Sequence, residues 1–192
     1  MQTRWRSSDL KFARQLADVL LKQFADPDGG FFFTAADHEK LIHRSKTFGD
    51  ESLPSGNGVA ASVLCRLGYL LGELPYLDAA EHTLKAAWSG IQDYPQAHMS
   101  LVNALEDFLS SMQILVIRGE RQSAAQWAQD LGALYAPTRM IFAIPKDAKL
   151  PPALEPKRAH GATVAYLCKG MTCSAPLANF HEVLRALQSG VV

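Results

Sequence analysis

A chain of 192 residues with 48% hydrophobic content can bury one substantial core, and a single domain spanning residues 1–192 is expected. Nineteen basic and nineteen acidic residues leave no net charge, and like charges never run beyond a few residues, so neither nucleic acid nor an anionic membrane is an expected partner. No apolar stretch approaches the roughly 20 residues of a membrane span, the basic N-terminus leads into an amphipathic pattern without a signal-like apolar run, and a cytoplasmic location is expected.

The first element is a helix capped by Ser7 or Ser8. Its apolar stripe runs through Phe12, Leu16, Val19, Leu20 and Phe24, opposite Lys11, Arg14, Asp18 and Lys22. Asp26-Pro27-Asp28-Gly29-Gly30 breaks it. The segment from Asp28 to Asn57 then gathers carboxylates, aromatics and tight turns, poor material for a core and good material for the rim of a polar cavity. Val59 to Leu71 reads as a helix buried on all sides, with Arg66 as its one charge, and Tyr76 to Ile91 as a helix with one wet face. Tyr94-Pro95 ends that helix, and Met99, Val102, Leu105 and Leu109 mark the next. These alternating helices suit a two-layer helical toroid.

The pattern changes at Gln113–Gly119, a β-branched apolar run ending in glycine that reads as a buried strand. A helix over 123–134 and a second strand at Met140–Ile144 complete a βαβ unit. Beyond a proline-rich connection, Ala162–Cys168 reads as a third strand and Asn179–Gln188 as a closing helix capped by Asn179. The fold class expected is therefore mainly α, a partial (α/α) toroid with an inserted α/β element over 112–168.

The three cysteines are not equivalent. Cys65 falls in an apolar helical pattern, whereas Cys168 and Cys173 are separated by the four residues Lys169-Gly170-Met171-Thr172. Such a pair suits a disulfide or a metal, yet zinc wants four ligands and no second Cys/His pair lies nearby, so reduced structural thiols are expected. Neither a metal nor an organic cofactor is implied.

Candidate chemistry concentrates in the Asp28–Asn57 segment. Hydrolysis or epimerisation of a sugar needs one group to give a proton and another to take it, and Asp28, Asp37 and Asp50 are the carboxylates for such a cavity. Asp37 lies three residues after Thr34 and equally fits a capping box. His38 and Glu39 are adjacent and cannot face one point from a regular helix, which weakens a metal site. Arg44 and Lys46 suit an anionic or hydroxylated substrate, or ion pairs with neighbouring acids. Phe31, Phe32 and Phe33 offer a stacking platform for a sugar ring, or core anchors. Ser55 and Asn57 precede the buried helix and fit either capping or bonds to sugar hydroxyls. His82 and His98 belong to helical faces.

Several blocks taken together are familiar: Gly29-Gly30-Phe31-Phe32-Phe33-Thr34, Asp37-His38-Glu39-Lys40-Leu41-Ile42, Arg44-Ser45-Lys46, Asp50, Pro54-Ser55-Gly56-Asn57, Ala162–Cys168 and Thr172-Cys173-Ser174-Ala175-Pro176. Their order resembles the C-terminal part of the YyaL-like family, thioredoxin-domain-containing proteins related to spermatogenesis-associated protein. The resemblance implies a portion of a six-hairpin toroid similar to that of glycosidases and N-acylglucosamine 2-epimerase. It departs from the family in lacking the thioredoxin-like domain with its Cys-x-x-Cys motif and the first half of the toroid, so no redox activity carries over. Gly58 stands where the family often has serine, which removes one hydroxyl contact. Two functions follow as expectations. One is a carbohydrate-active site in which Asp37, His38 and Asp50 transfer protons while Asp28, Phe32, Arg44, Lys46, Ser55 and Asn57 hold a small sugar. The other is a non-catalytic domain whose exposed apolar surface is covered by the family's N-terminal half or by a second copy.

Overall fold

The computed structural model describes residues 4–39, 41–110 and 112–189. The elements in chain order are α1 (Ser7–Gln23), α2 (Gly56–Leu71), α3 (Leu74–Ala86), α4 (Trp88–Asp93), α5 (Met99–Leu109), β1 (Gln113–Gly119), α6 (Arg121–Gly132), β2 (Arg139–Pro145), β3 (Thr163–Lys169), β4 (Thr172–Cys173) and α7 (Phe180–Ser189). Contacts divide them into two units, one of Met1–Lys11 with Ser111–Val192 and one of Phe12–Ser110.

The first unit is built on a four-stranded mixed sheet in the order β2-β1-β3-β4. β1 and β2 run parallel, joined through α6 as the βαβ pattern requires, while β3 is antiparallel to β1 and β4 to β3. Because β1 is central, its side chains are buried on both faces, which is why its sequence reads as an unbroken apolar run. Leu115, Ile117, Ile141, Ala165 and Leu167 pack against Leu131 of α6 and Val183 of α7. On the opposite face Trp5 meets Phe142 edge-on, ring centroids 6.0 Å apart. α7 begins as expected: Asn179 Oδ1 accepts from Glu182 N–H at 3.0 Å, and the Glu182 carboxylate accepts in return from Ala178 N–H at 2.8 Å.

The second unit packs α2, α3, α4 and α5 around Ala61, Leu84, Ala87, Ile91, Leu101 and Ala104. Ser55 caps α2, its hydroxyl accepting from Gly58 N–H, and Gly72 at φ 67° ends it in the left-handed conformation. Arg66 and Ser62 on α2 both donate to the buried carboxylate of Asp107 on α5, at 2.9 and 2.8 Å. Burial beside that carboxylate pushes the Cys65 thiol up to about 12, an inert thiol.

Three expectations are corrected. The described residues are about 49% helical with a four-stranded mixed sheet, so the fold is an α/β mixture rather than mainly α, and among the described residues no toroid is evident. The helix read over Tyr76–Ile91 is two helices, broken at Ala87. Cys168 and Cys173 are joined in a disulfide rather than reduced, since the tight turn at Gly170, φ 57°, sets them opposite each other on β3 and β4.

Candidate functional site

The Asp28–Asn57 segment has little regular structure, so its backbone groups must find partners one by one. Polar side chains supply them. At the first turn Asp26 Oδ1 accepts from Asp28 N–H at 3.0 Å, and Lys46 Nζ bonds both Asp26 Oδ2 at 2.5 Å and Gly29 O at 2.8 Å. The Lys46 hydrogen bond, then that of Asp28 N–H, holds the Asp26 carboxyl below its ordinary range. Gly29 and Gly30 take φ of 92° and 80°, and a Cβ on Gly29 would lie 2.5 Å from His82 O, so only glycine fits.

Asn57 is the second clamp. Its Oδ1 accepts from Phe31 N–H at 2.7 Å, and its Nδ2 donates to Phe31 O at 3.1 Å and Thr47 O at 2.8 Å. Arg44 is the third, donating to Thr34 O at 2.6 Å and lying 4.1 Å above the Phe32 ring centroid. Asp50 is the fourth. Its Oδ1 accepts from Ser55 N–H at 2.8 Å and Ser100 Oγ–H at 2.5 Å, and its Oδ2 accepts from Ser100 N–H at 2.8 Å. Burial raises the Asp50 carboxyl, but the bonds from Ser100 and Ser55 outweigh it and leave the group below its ordinary value. Both backbone donors open helices, Ser55 as the cap of α2 and Ser100 in the first turn of α5, where a carboxylate is also favoured by the helix dipole.

Within the same unit is an open cavity of about 630 Å³. Its walls are Leu20 at the end of α1, Phe31–Phe33, Ser45, Thr47, Gly49, the stretch Glu51–Ser55 and the start of α2 at Gly56 and Asn57. Of the residues expected at a sugar site, the cavity gathers Phe32, Ser55 and Asn57. Arg44, Lys46, Asp28 and Asp50 are absent from the lining. Asp37 and His38 are exposed on a turn, also outside the lining, and the Thr34 hydroxyl is buried without a partner rather than closing a capping box with Asp37. Glu51 is the carboxylate that does line the cavity, so no pair of carboxylates faces across it. Among the described residues no group of three His, Cys, Asp or Glu could hold a metal ion. No described helix is long and apolar enough to cross a membrane.

Of two further contributors, one had no signal in the sequence and the other was given a different reason there. Ser100 lies at the start of a helix far along the chain, and only the fold brings it to Asp50. Gly58 is not a lost hydroxyl contact: a Cβ there would come within 2.6 Å of Ser100 Cβ and 3.0 Å of its backbone carbon. The glycine is what lets α5 approach.

Two helices carry apolar residues to the surface, and each reaches the cavity at one residue. Leu16, Val19 and Leu20 continue a stripe begun at Phe12, and Gly56, Val59 and Val63 form another on α2; one residue of each stripe, Leu20 and Gly56, lines the cavity. Phe12, Leu16 and Val19 are 60, 55 and 51% exposed, and Val59 and Val63 49 and 46%. The α1 stripe was expected to face the core and α2 to be buried on every side. Instead Leu10 and Ala17 are the buried positions of α1. On the flank away from the apolar stripe, α1 is tied to the start of α3 through Arg14–Glu73 and Tyr76–Asp18.

No family model matches the chain. The chain is similar to spermatogenesis-associated protein 20. The human protein is 28% identical over 191 residues, covering 94% of this chain, and the mouse protein is 27% identical over the same length. The chain spans 24% of the length of these relatives, so its counterpart in them is one part of a larger protein.

Proposed function

We propose that this chain is a non-catalytic interaction module, whose exposed α1 and α2 stripes dock against a polypeptide equivalent to the remainder of spermatogenesis-associated protein 20. The observation that carries this reading is a pair of apolar stripes, one on α1 and one on α2, that each send a residue, Leu20 and Gly56, to the same cavity and together hold five half-exposed aliphatic or aromatic side chains at helical spacing. Scattered apolar residues are ordinary on a monomer, but a contiguous set is the mark of an interface. Relatives about four times as long, matched over only 24% of their length, give that surface a partner of suitable size.

The same reading accounts for the polar segment. Asp50 has hydrogen bonds on both carboxylate oxygens, and Lys46, Arg44 and Asn57 bond backbone groups of their own loop. A proton-transferring carboxylate needs a free oxygen facing the substrate, and Asp37 and His38, which are free, lie off the cavity. These polar residues therefore shape the surface, and an acid–base role is not proposed for them.

The test mixes the chain with the separately expressed remainder of the human relative and follows thermal stability, since a partner that binds only the native state raises the melting temperature. A rise is expected, abolished by Leu16→Asp with Val63→Asp and retained by Asp37→Asn. No rise with that polypeptide, together with a rise given by a sugar and lost in Asn57→Ala, would replace this reading with a carbohydrate site.

A further inference from the structure

A second cavity, of about 590 Å³, belongs to the sheet unit and has no part in the docking surface. It is walled by Arg118 at the end of β1 and by the connection that follows β2, including Lys146, Asp147, Glu155 and Arg158. β1 and β2 are parallel and end side by side at Gly119 and Pro145, so the cavity opens beyond the carboxyl ends of parallel strands, where α/β sheets commonly take ligands.

Arg118 is the unusual member. Its side chain sits in a central strand at 4% exposure, and no carboxylate of the described residues lies within ion-pair distance of it. Its bonds are to carbonyls: Nη1 donates to Ile144 O at 3.3 Å and Pro145 O at 2.8 Å, and Nη2 donates to Lys146 O at 3.2 Å. A guanidinium has five N–H groups, so Nε–H and one Nη2–H remain, and Nε is buried without a partner. Nε–H and an Nη2–H share one edge of a guanidinium, the edge by which arginine grips an oxyanion bidentately. A buried charge left without a counter-ion is costly, and a bound anion supplies one.

The rest of the wall qualifies the charge. Lys146 is already engaged by Glu120, whereas the Arg158 side chain has no acid partner among the described residues. Arg158 is held in place through its backbone, its carbonyl accepting from Tyr166 Oη–H at 2.7 Å. Asp147 and Glu155 oppose an anion. We infer that this cavity is a binding site for the phosphoryl group of a small phosphorylated molecule, with Arg118 as buried counter-charge and Arg158 as the second cation. A cavity of this volume exceeds a lone phosphate, which leaves room for the organic part of such a ligand.

The experiment titrates the intact chain calorimetrically with inorganic phosphate, glycerol phosphate and acetate at constant ionic strength. Saturable phosphate binding is expected, with glycerol phosphate tighter and acetate weaker. Arg158→Ala should weaken phosphate about three- to five-fold, Asp147→Asn should tighten it by a similar factor, and Arg118→Lys, which keeps charge and loses the fork, should cost tenfold or more. If Arg118→Lys fails to fold, the two rim variants decide. No phosphate binding above that of chloride, acetate binding as tightly as phosphate, or rim variants indistinguishable from the parent would each overturn the assignment.

Discussion

Replacing Asp50 by alanine separates a structural clamp from a catalytic acid. The substitution strips the acceptor from Ser55 N–H, Ser100 N–H and Ser100 Oγ–H. The Ser100 hydroxyl keeps its neighbour Ser55 Oγ at 3.1 Å, so two backbone donors carry the loss. A hydrogen bond to a charged group contributes about 1.5–3 kcal/mol, and partial access of water at this site argues for the low end of that range. Asp50→Ala should therefore cost about 3 kcal/mol, a fall in melting temperature of roughly 6–12 °C for a chain of this size. Asp37→Ala, on an exposed turn, should stay within about 0.5 kcal/mol. Urea unfolding followed by circular dichroism reads both. Asp50 titrates with a folded value below its ordinary 3.8, so its contribution is complete above that value and disappears as pH falls through the lower folded value. The gap between wild type and Asp50→Asn should accordingly narrow only in strong acid. An Asp50→Ala protein as stable as wild type, or more stable, would refute the clamp and point to a strained functional acid.

Three further outcomes follow from the packing. Gly58→Ala forces a Cβ against Ser100 and should destabilise by about 1–3 kcal/mol, read as a lower urea midpoint with unchanged slope, whereas Gly56→Ala meets open space and should be near neutral. Asn57→Ala removes three bonds to Phe31 and Thr47 and should cost about 2–4 kcal/mol, with amide exchange at Phe31 accelerated before that of the helices; uniform acceleration would contradict a local clamp. Reducing Cys168–Cys173, a sequence separation of 5, opens a small loop and should cost about 2 kcal/mol, measured as the fall in melting temperature with a dithiol; no fall would mean that the hairpin does not depend on the link.

The sheet was legible because β1 carries its burial in its own composition: a strand covered on both faces must be apolar throughout, and Ile114–Ile117 is. Asn179 was legible as a cap for the same local reason, its partner Glu182 lying three residues on. What was not legible is set by contacts far along the chain. In α1 two apolar arcs compete, and periodicity cannot say that Ala17 faces inward while Leu16 and Val19 face out. The toroid expectation failed because helix pairs read from period alone fit many packings, and here a four-stranded sheet takes the second half of the chain. At the site, Ser55 and Asn57 were singled out by their position before the apolar stretch that begins at Val59, but Ser100 belongs to Asp50 only through the fold, and no spacing separates a clamped carboxylate from a catalytic one.

Hydrogen exchange of the chain, alone and with the remainder of the human relative, tests the docking account most directly. Protection confined to α1 around Phe12–Val19 and α2 around Val59–Val63, with the turn at Asp37 and His38 unchanged, is the predicted result. Protection of the Asp37–His38 turn and the cavity loop by a sugar, with the two helices unaffected by the added polypeptide, would contradict it.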